Sequence, residues 1–434
     1  MVFRLSSTAA SVGLILRESE HIEHKRSTRA FCTAKRRGVK PVSVGLGDKS
    51  LYASLEADAY LAYAAVAPIS QIVQSTLEEM VRDCARGGQP ALLRWYERRE
   101  RLREKLCALI DTTPEQIAFA GGTTQALNAL ALCFPWEHGD TVLLTEGEFP
   151  ANVAPFQNAA RLFGLRLRFL PKPDPEAPES FLKALEAALR ERVRLCSMSA
   201  VCFQTGLLMP LERVAQLCHE YDAELAVDAI QALGVVPLSV RKVGIDYLAG
   251  GAHKWLMGVE GAGFLYARAD RVAKLVPRST GWLSYEDGLR FLFEGPGELR
   301  YDRPLKTSIQ FLEGSSMSSL GFAAFEAGLD PIQELSVPRI FAHVNGYLDA
   351  LEPVLVERGF KSMRSSDPAR RSGILSCVPP NGIKASALVH ALRKRGVITT
   401  MPDGLLRFAP HFPNSLDELP FVKQAIDAAL GECA

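Results

Sequence analysis

The sequence predicts an α/β protein: a large unit with a mostly parallel seven-stranded sheet covered by helices, followed by a smaller α+β unit at the C-terminal end. Three observations predict it. Between residues 116 and 267, seven short apolar runs alternate with stretches of helical spacing. With 434 residues, 47% of them apolar and 23% charged, the chain carries side chains enough for a substantial core. Its nine cysteines are odd in number and scattered without any CxxC pair, which excludes a disulfide-stapled scaffold and points to a reducing, cytoplasmic setting.

Residues 1–45 read as a basic, poorly ordered tail. Within the first forty, nine Lys and Arg stand against three Glu, and the glutamates argue against a targeting leader. An N-terminal segment over 46–90 holds a helix from Ser70 to Cys84, and a charge-laced helix follows over Leu92–Leu109. The expected strands are Gln116–Ala120, Thr141–Thr145, Leu165–Leu170, Arg194–Ala200, Glu224–Ala229, Tyr247–Gly250 and Gly263–Ala267. Helices between them are expected over Thr124–Cys133, Pro150–Phe163, Pro178–Arg192 and Leu211–Tyr221. A Gly- and Pro-rich stretch, Arg278–Lys306, marks the exit from the large unit, assigned to 91–310. The small unit, 311–434, is expected to hold helices at Leu320–Leu329, Val337–Arg358, Lys384–Arg395 and from Leu416, with strands at Gly373–Val378 and Leu405–Ala409.

Charge narrows the function. Lys and Arg number 50 against 49 Asp and Glu, so no overall field recruits nucleic acid or anionic lipid, and a small-molecule substrate is expected. No apolar stretch approaches the ~20 residues of a membrane crossing. There is no HExxH and no Cys/His cluster at ligand spacing, so no metal is predicted. Neither GxxxxGK[ST] nor a GxGxxG after a strand is present, which speaks against a nucleotide site and a Rossmann oxidoreductase.

In an open parallel sheet, ligands gather at the carboxyl ends of the strands. Gly121-Gly122-Thr123-Thr124 follows a strand and opens a helix, an arrangement that suits an anion, or equally a helix capped by Thr123 or Thr124. Asp228 ends an apolar strand with Gln231 three residues later; it is either a carboxylate facing a cation or a turn residue. In Gly250-Gly251-Ala252-His253-Lys254-Trp255, a lysine sits among small and apolar neighbours, where burial lowers an amine's pKa toward imine chemistry. Arg407, in Leu406-Arg407-Phe408-Ala409-Pro410-His411, can grip a carboxylate with two hydrogen bonds or pair with a surface acid.

An anion cradle, a carboxylate for a ring cation, an aldehyde-reactive lysine and a carboxylate clamp are together the set that holds pyridoxal phosphate with an amino acid on it. From Tyr60 onward the chain resembles the class V branch of the fold type I pyridoxal-phosphate enzymes, which includes cysteine desulfurases, kynureninase, selenocysteine lyase and isopenicillin N epimerase-like proteins. The resemblance implies pyridoxal 5'-phosphate as cofactor, joined to Lys254 as a Schiff base. It implies Asp228 on the pyridine nitrogen, Gln231 on the ring's 3′ oxygen, and Thr123, Thr124 and His253 on the phosphate. Phe149 falls where relatives stack a ring on the cofactor, and Arg407 where they grip the substrate α-carboxylate. Phe311-Leu312-Glu313-Gly314-Ser315 is similar to a segment whose hydroxyl reaches the neighbouring subunit's phosphate, so Ser315 takes that role and a homodimer is implied.

Two departures bear on the reaction. No cysteine lies between Cys377 and Cys433, where desulfurases carry their nucleophile, so persulfide formation is not expected. Gly251 stands where relatives place a phosphate-binding serine, and Gln204 and Thr205 are the candidates for the family's ring-side Asn. The expected activity is of aminotransferase type on a small amino acid, with a C–S or β-lyase or an epimerase as the alternative and a non-catalytic cofactor-binding protein as the third reading. Trp282 and Tyr285 either line the substrate entrance or anchor a surface loop.

Overall fold

The computed structural model describes residues 44–380 and 382–433; the tail up to residue 43, with His21, His24 and Cys32, lies outside the described residues. The chain begins with β1 (Ala59–Tyr60), α1 (Gln71–Gly87) and α2 (Leu92–Ile110). Ser70 caps α1 by accepting the Val73 N–H at 3.3 Å, and Gly88, at φ 52°, ends it. The alternating region follows: β2 (Ile117–Ala120), α3 (Thr123–Cys133), β3 (Thr141–Thr145), α4 (Ala154–Phe163), β4 (Arg166–Leu170), α5 (Pro178–Leu189), β5 (Val193–Ser199), α6 (Leu211–Glu220), β6 (Glu224–Asp228), β7 (Tyr247–Gly251) and β8 (Gly263–Ala267).

These seven strands form one sheet in the order β2-β8-β7-β6-β5-β3-β4. Only β8 runs against its two neighbours; the other pairings are parallel. Every residue of β3, β6, β7 and β8 is buried, which is why they read as continuous apolar runs rather than alternating ones. The edge strand β4 instead exposes Arg166 and Phe169 and carries Arg168 as well, charges that discourage pairing with another chain. Where β8 begins, a Cβ on Gly263 would lie 2.5 Å from the Gly250 carbonyl oxygen and 2.7 Å from Gly122 Cα. Only glycine lets the loop before α3 settle so closely onto the sheet.

The C-terminal part comprises α7 (Ser319–Leu335), α8 (Val337–Val356), β9 (Lys361–Ser362), β10 (Leu375–Val378), α9 (Ala385–Arg393), β11 (Val397–Ile398), β12 (Leu406–Phe408) and α10 (Leu419–Cys433). Its antiparallel sheet runs β12-β10-β9, and β1 pairs in parallel with β11. The segment 59–67 therefore straps two regions together. Leu61 and Tyr63 donate to the carbonyls of Ile398 and Ala409, and Ala67 donates to that of His253 at 2.8 Å.

The expected helix over Pro150–Phe163 begins only at Ala154, after a 3-10 turn at Pro150–Asn152, because Pro155 has no N–H and fits only a first turn. The helix from Pro178 stops at Leu189 rather than Arg192, which is left-handed at φ 51°. The one expected to stop at Leu329 runs to Leu335 across Pro331, held by buried Leu329, Ile332 and Leu335. The last helix opens with a 3-10 turn at Leu416–Glu418 before α10. Among the described residues no helix is long and apolar enough to cross a membrane.

Candidate active site

The carboxyl ends of β2, β6 and β7 open into a cavity of about 650 Å3, lined among others by Thr123, Thr124, Phe149, Asp228, Gln231, His253, Lys254 and Arg407. Eight of the nine predicted site residues thus share one space. The ninth, Ser315, is exposed and does not line it.

At the mouth of α3, Gly122 occupies the cap position with φ 145° and no side chain caps the helix, so the capping reading of Thr123 and Thr124 is overturned. Thr123, 8% exposed, keeps its Oγ1 without a hydrogen-bond partner. A free buried hydroxyl beside the unpaired N–H groups of a helix start is an anion site. A Cβ on Gly251 would come within 3.0 Å of that oxygen, so the glycine found in place of the relatives' serine keeps the hydroxyl uncrowded.

Asp228 is buried at the tip of β6, its Oδ1 accepting the Ile230 N–H at 3.0 Å. Burial pushes its pKa up to about 7; the Ile230 N–H and Lys254 oppose that, and Glu148 adds to it. A carboxyl in that state calls for a cation. Lys254 Nζ lies 5.6 Å from the centroid of the Phe149 ring. Burial draws its pKa down to about 8, against the pull of Asp228 and with help from Arg407. No ion pair within 4.0 Å joins Lys254 to Asp228 among the described residues. His253 is held below its ordinary pKa by burial and by Lys254.

Gln231 is 3% exposed, and its amide is partly engaged: Nε2 donates to the Ala64 carbonyl at 2.9 Å and Oε1 accepts from Trp255 Nε1 at 2.8 Å. One N–H of Nε2 remains for a ligand. Arg407 is 5% exposed and has no acidic partner among the described residues. Its Nε donates to Thr400 Oγ1 at 2.9 Å and Nη1 to the Phe203 carbonyl at 2.8 Å, while burial lowers its pKa to about 10. The surface-pair reading of this arginine is therefore overturned. A desolvated guanidinium held by neutral acceptors is poised for a carboxylate.

Gln204 and Thr205 do not face the cavity. Gln204 donates to Asp403 at 2.7 Å, and Thr205 Oγ1 accepts the Leu207 N–H. Trp282 packs edge-on against Phe291, and neither it nor Tyr285 is among the lining residues. Sequence reasoning missed Ala64, Ala65, Phe203, Thr400 and Pro402 in the lining, and it missed Glu148. That carboxylate accepts the Ser199 N–H at 2.7 Å and the Ser199 hydroxyl, and Ser199 is the register partner of Asp228. Its one signal was an acid next to Phe149 just past the end of β3.

The profile of the family described as Aminotransferase class-V matches residues 59–404. The chain belongs to the class V aminotransferase family. It is 29% identical to the isopenicillin N epimerase of Streptomyces clavuligerus over 356 residues, 79% of this chain and 86% of that one. It is likewise 29% identical over 287 residues to a probable cysteine desulfurase of Chlamydia trachomatis serovar D, covering 65% of this chain and 68% of that one. Among solved structures, a C-DES variant with glycine covalently linked to the PLP cofactor superposes with a TM-score of 0.79 at 20% identity, over 88% of this chain and 99% of that one. The cysteine desulfurase of Thermococcus onnurineus gives 0.75 at 22%, over 86% and 95%. These likenesses show the fold type I architecture.

The cofactor of this class V enzyme is pyridoxal 5'-phosphate, and the cavity fits it. The partnerless Thr123 hydroxyl at a helix start suits the phosphate, the buried Asp228 suits a ring cation, and the Lys254 amine suits the aldehyde.

Proposed function

We propose that this class V enzyme acts at the α-carbon of a small amino acid and transfers its amino group. The unit 91–310 would hold the cofactor and 311–434 supply the substrate arginine. The observation that carries the reading is Arg407, a buried guanidinium without an acidic partner, in the same cavity as Lys254 and Asp228.

When bound, pyridoxal phosphate accepts the electron pair left as a bond at the substrate α-carbon breaks. Thr123, Thr124 and His253 would hold its phosphate, Phe149 would lie against its ring, and Gln231 would offer the 3′ oxygen its remaining N–H. Asp228 takes up the ring N–H and stays anionic beside that charge. Arg407 binds the α-carboxylate through the N–H groups that Thr400 and Phe203 leave free, fixing Cα relative to Lys254. Lys254 Nζ, its pKa drawn down by burial, would remove the Cα proton and hand it on where amino transfer requires it. Ser315 is exposed outside the cavity, and in a homodimer it would meet the neighbouring phosphate. The described cysteines are all free, consistent with a cytoplasmic enzyme.

A second reading, epimerisation or β-elimination, is favoured by the names of the relatives; it differs only in where Lys254 returns the proton or in whether a β-substituent leaves. No described cysteine lines the cavity, so a persulfide carried on an enzyme cysteine is not part of either reading. Holoenzyme incubated with a panel of amino acids and an α-keto acid is expected to exchange amino groups. Deuterium entering Cα from heavy water, or release of the β-substituent together with a keto acid and ammonia, without such exchange would favour the second reading, and the absence of all these events across the panel would refute both.

A further inference from the structure

From the distribution of charge around Arg407 we infer that the substrate carries an uncharged, apolar side chain, and that Phe203 is the residue that selects it. This rests on the proposed reaction at an amino-acid α-carbon. The cations in the lining are His253, Lys254 and Arg407. Lys254 is taken up by the cofactor, His253 adjoins the Gly251–Thr123 corner assigned to the phosphate, and Arg407 takes the α-carboxylate. Among the described residues of one protomer, no lining cation is left for a second carboxylate. The lining acids are Asp228 and Glu260. The first faces the ring cation, and the second is exposed beside Gly261 on the His253 side, so no lining acid near Arg407 is left for a side-chain ammonium.

What remains next to Arg407 is carbon. The Phe203 carbonyl holds the guanidinium at 2.8 Å, and the Phe203 ring meets Phe149 edge-on at 5.3 Å and 86°. Ala64, Ala65 and Pro402 also line the cavity, and Thr400 is turned to Arg407. With Phe149 placed against the cofactor, the Phe203 ring is the large apolar surface left for the side chain leaving Cα. A charged group there gives up hydration without a counter-charge, whereas an alkyl or aryl group gains contact.

The test uses holoenzyme and carboxylates that lack an α-amine and so cannot react, with binding read by calorimetry. The expected result is that 4-methylpentanoate and 3-phenylpropanoate bind at least tenfold more tightly than glutarate or 6-aminohexanoate. Phe203→Ala is expected to weaken the first two by about tenfold while acetate binding stays unchanged, with Phe203→Leu in between. Glutarate binding as tightly as 4-methylpentanoate in the wild-type enzyme would overturn the substrate class and leave the proposed reaction standing. If no carboxylate binds at all, Arg407 is not a carboxylate site and the proposed reaction falls with it. Equal losses for acetate and 3-phenylpropanoate in the Phe203 variants would remove Phe203 as the selecting residue.

Discussion

Two buried arginines in this chain are used in opposite ways. Arg103, on α2, is 1% exposed; its Nη1 and Nη2 reach the two carboxylate oxygens of Glu313 at 2.8 and 3.1 Å, and its Nε reaches Glu100 at 3.0 Å. Nη1 also holds the Ile117 carbonyl, and Glu313 accepts the Phe119 N–H, so the pair fastens the segment before Ser315 to β2. Burial alone would lower the Arg103 pKa, but the two glutamates raise it on balance. Arg407 is about as buried, has only neutral acceptors, and titrates lower. Burial therefore does not distinguish a structural charge from one awaiting a ligand; the counter-charge does.

The largest effect expected on the ligand side is that of Lys254→Ala. Turnover and the borohydride-fixed cofactor adduct should both vanish, while the urea midpoint of the apoprotein holds or rises because a desolvated ammonium is gone. Next, the two arginines should separate cleanly. Arg407→Ala is expected to lower kcat/KM about 10²–10³-fold with little loss of stability. Arg103→Ala should cost about 3–5 kcal/mol of stability, because buried Glu313 would keep only Arg99 at 3.5 Å and the Phe119 N–H. A comparable stability loss in Arg407→Ala would break the comparison.

A smaller effect appears in the pH dependence of the apoprotein. Asp228 has a folded pKa of about 7 against an ordinary 3.8, so the folded state binds the extra proton between those values. Its contribution to stability is full below pH 3.8 and is lost as pH rises toward 7. Lys254 works in the other direction: its folded pKa of about 8 lies below 10.5, so stability rises again from pH 8 upward. Buried His411, drawn down to about 4, acts in the opposite direction over the same range, so the Asp228 contribution should be read as the difference between urea titrations of wild type and Asp228→Asn from pH 4 to 7. The smallest effect is expected from Glu148→Gln, which keeps the contact to Ser199 but removes the charge. The Asp228 slope should shrink and cofactor affinity should fall a few-fold.

The cofactor side of the site was legible because its groups sit in short stretches at strand ends, where Asp228 and Gln231, or His253 and Lys254, are neighbours in sequence. The substrate side was not. Arg407 could be named from its flanking residues, but its lack of an acidic partner depends on Thr400 and Phe203, and Phe203 lies far back in the chain. Glu148 escaped for the same reason, its partner Ser199 being 51 residues away. The alternating strands and helices were foreseen to within a residue or two at most ends, since fully buried strands leave unbroken apolar runs. The pairing of β1 with β11 was not, because two-residue strands carry no periodicity. The antiparallel course of β8 was equally hidden, as burial on both faces erases any mark of direction.

The strap at 59–67 has a consequence for how the molecule is made. Its hydrogen-bond partners at Ile398 and Ala409 leave the ribosome more than three hundred residues later. The sheet that holds Asp228 and Lys254 can collapse while synthesis continues, but this early stretch must wait for nearly the whole chain. Contacts so distant in sequence form slowly, so pulse-labelled nascent chains should protect the sheet amides first and those of Leu61 and Tyr63 only after release.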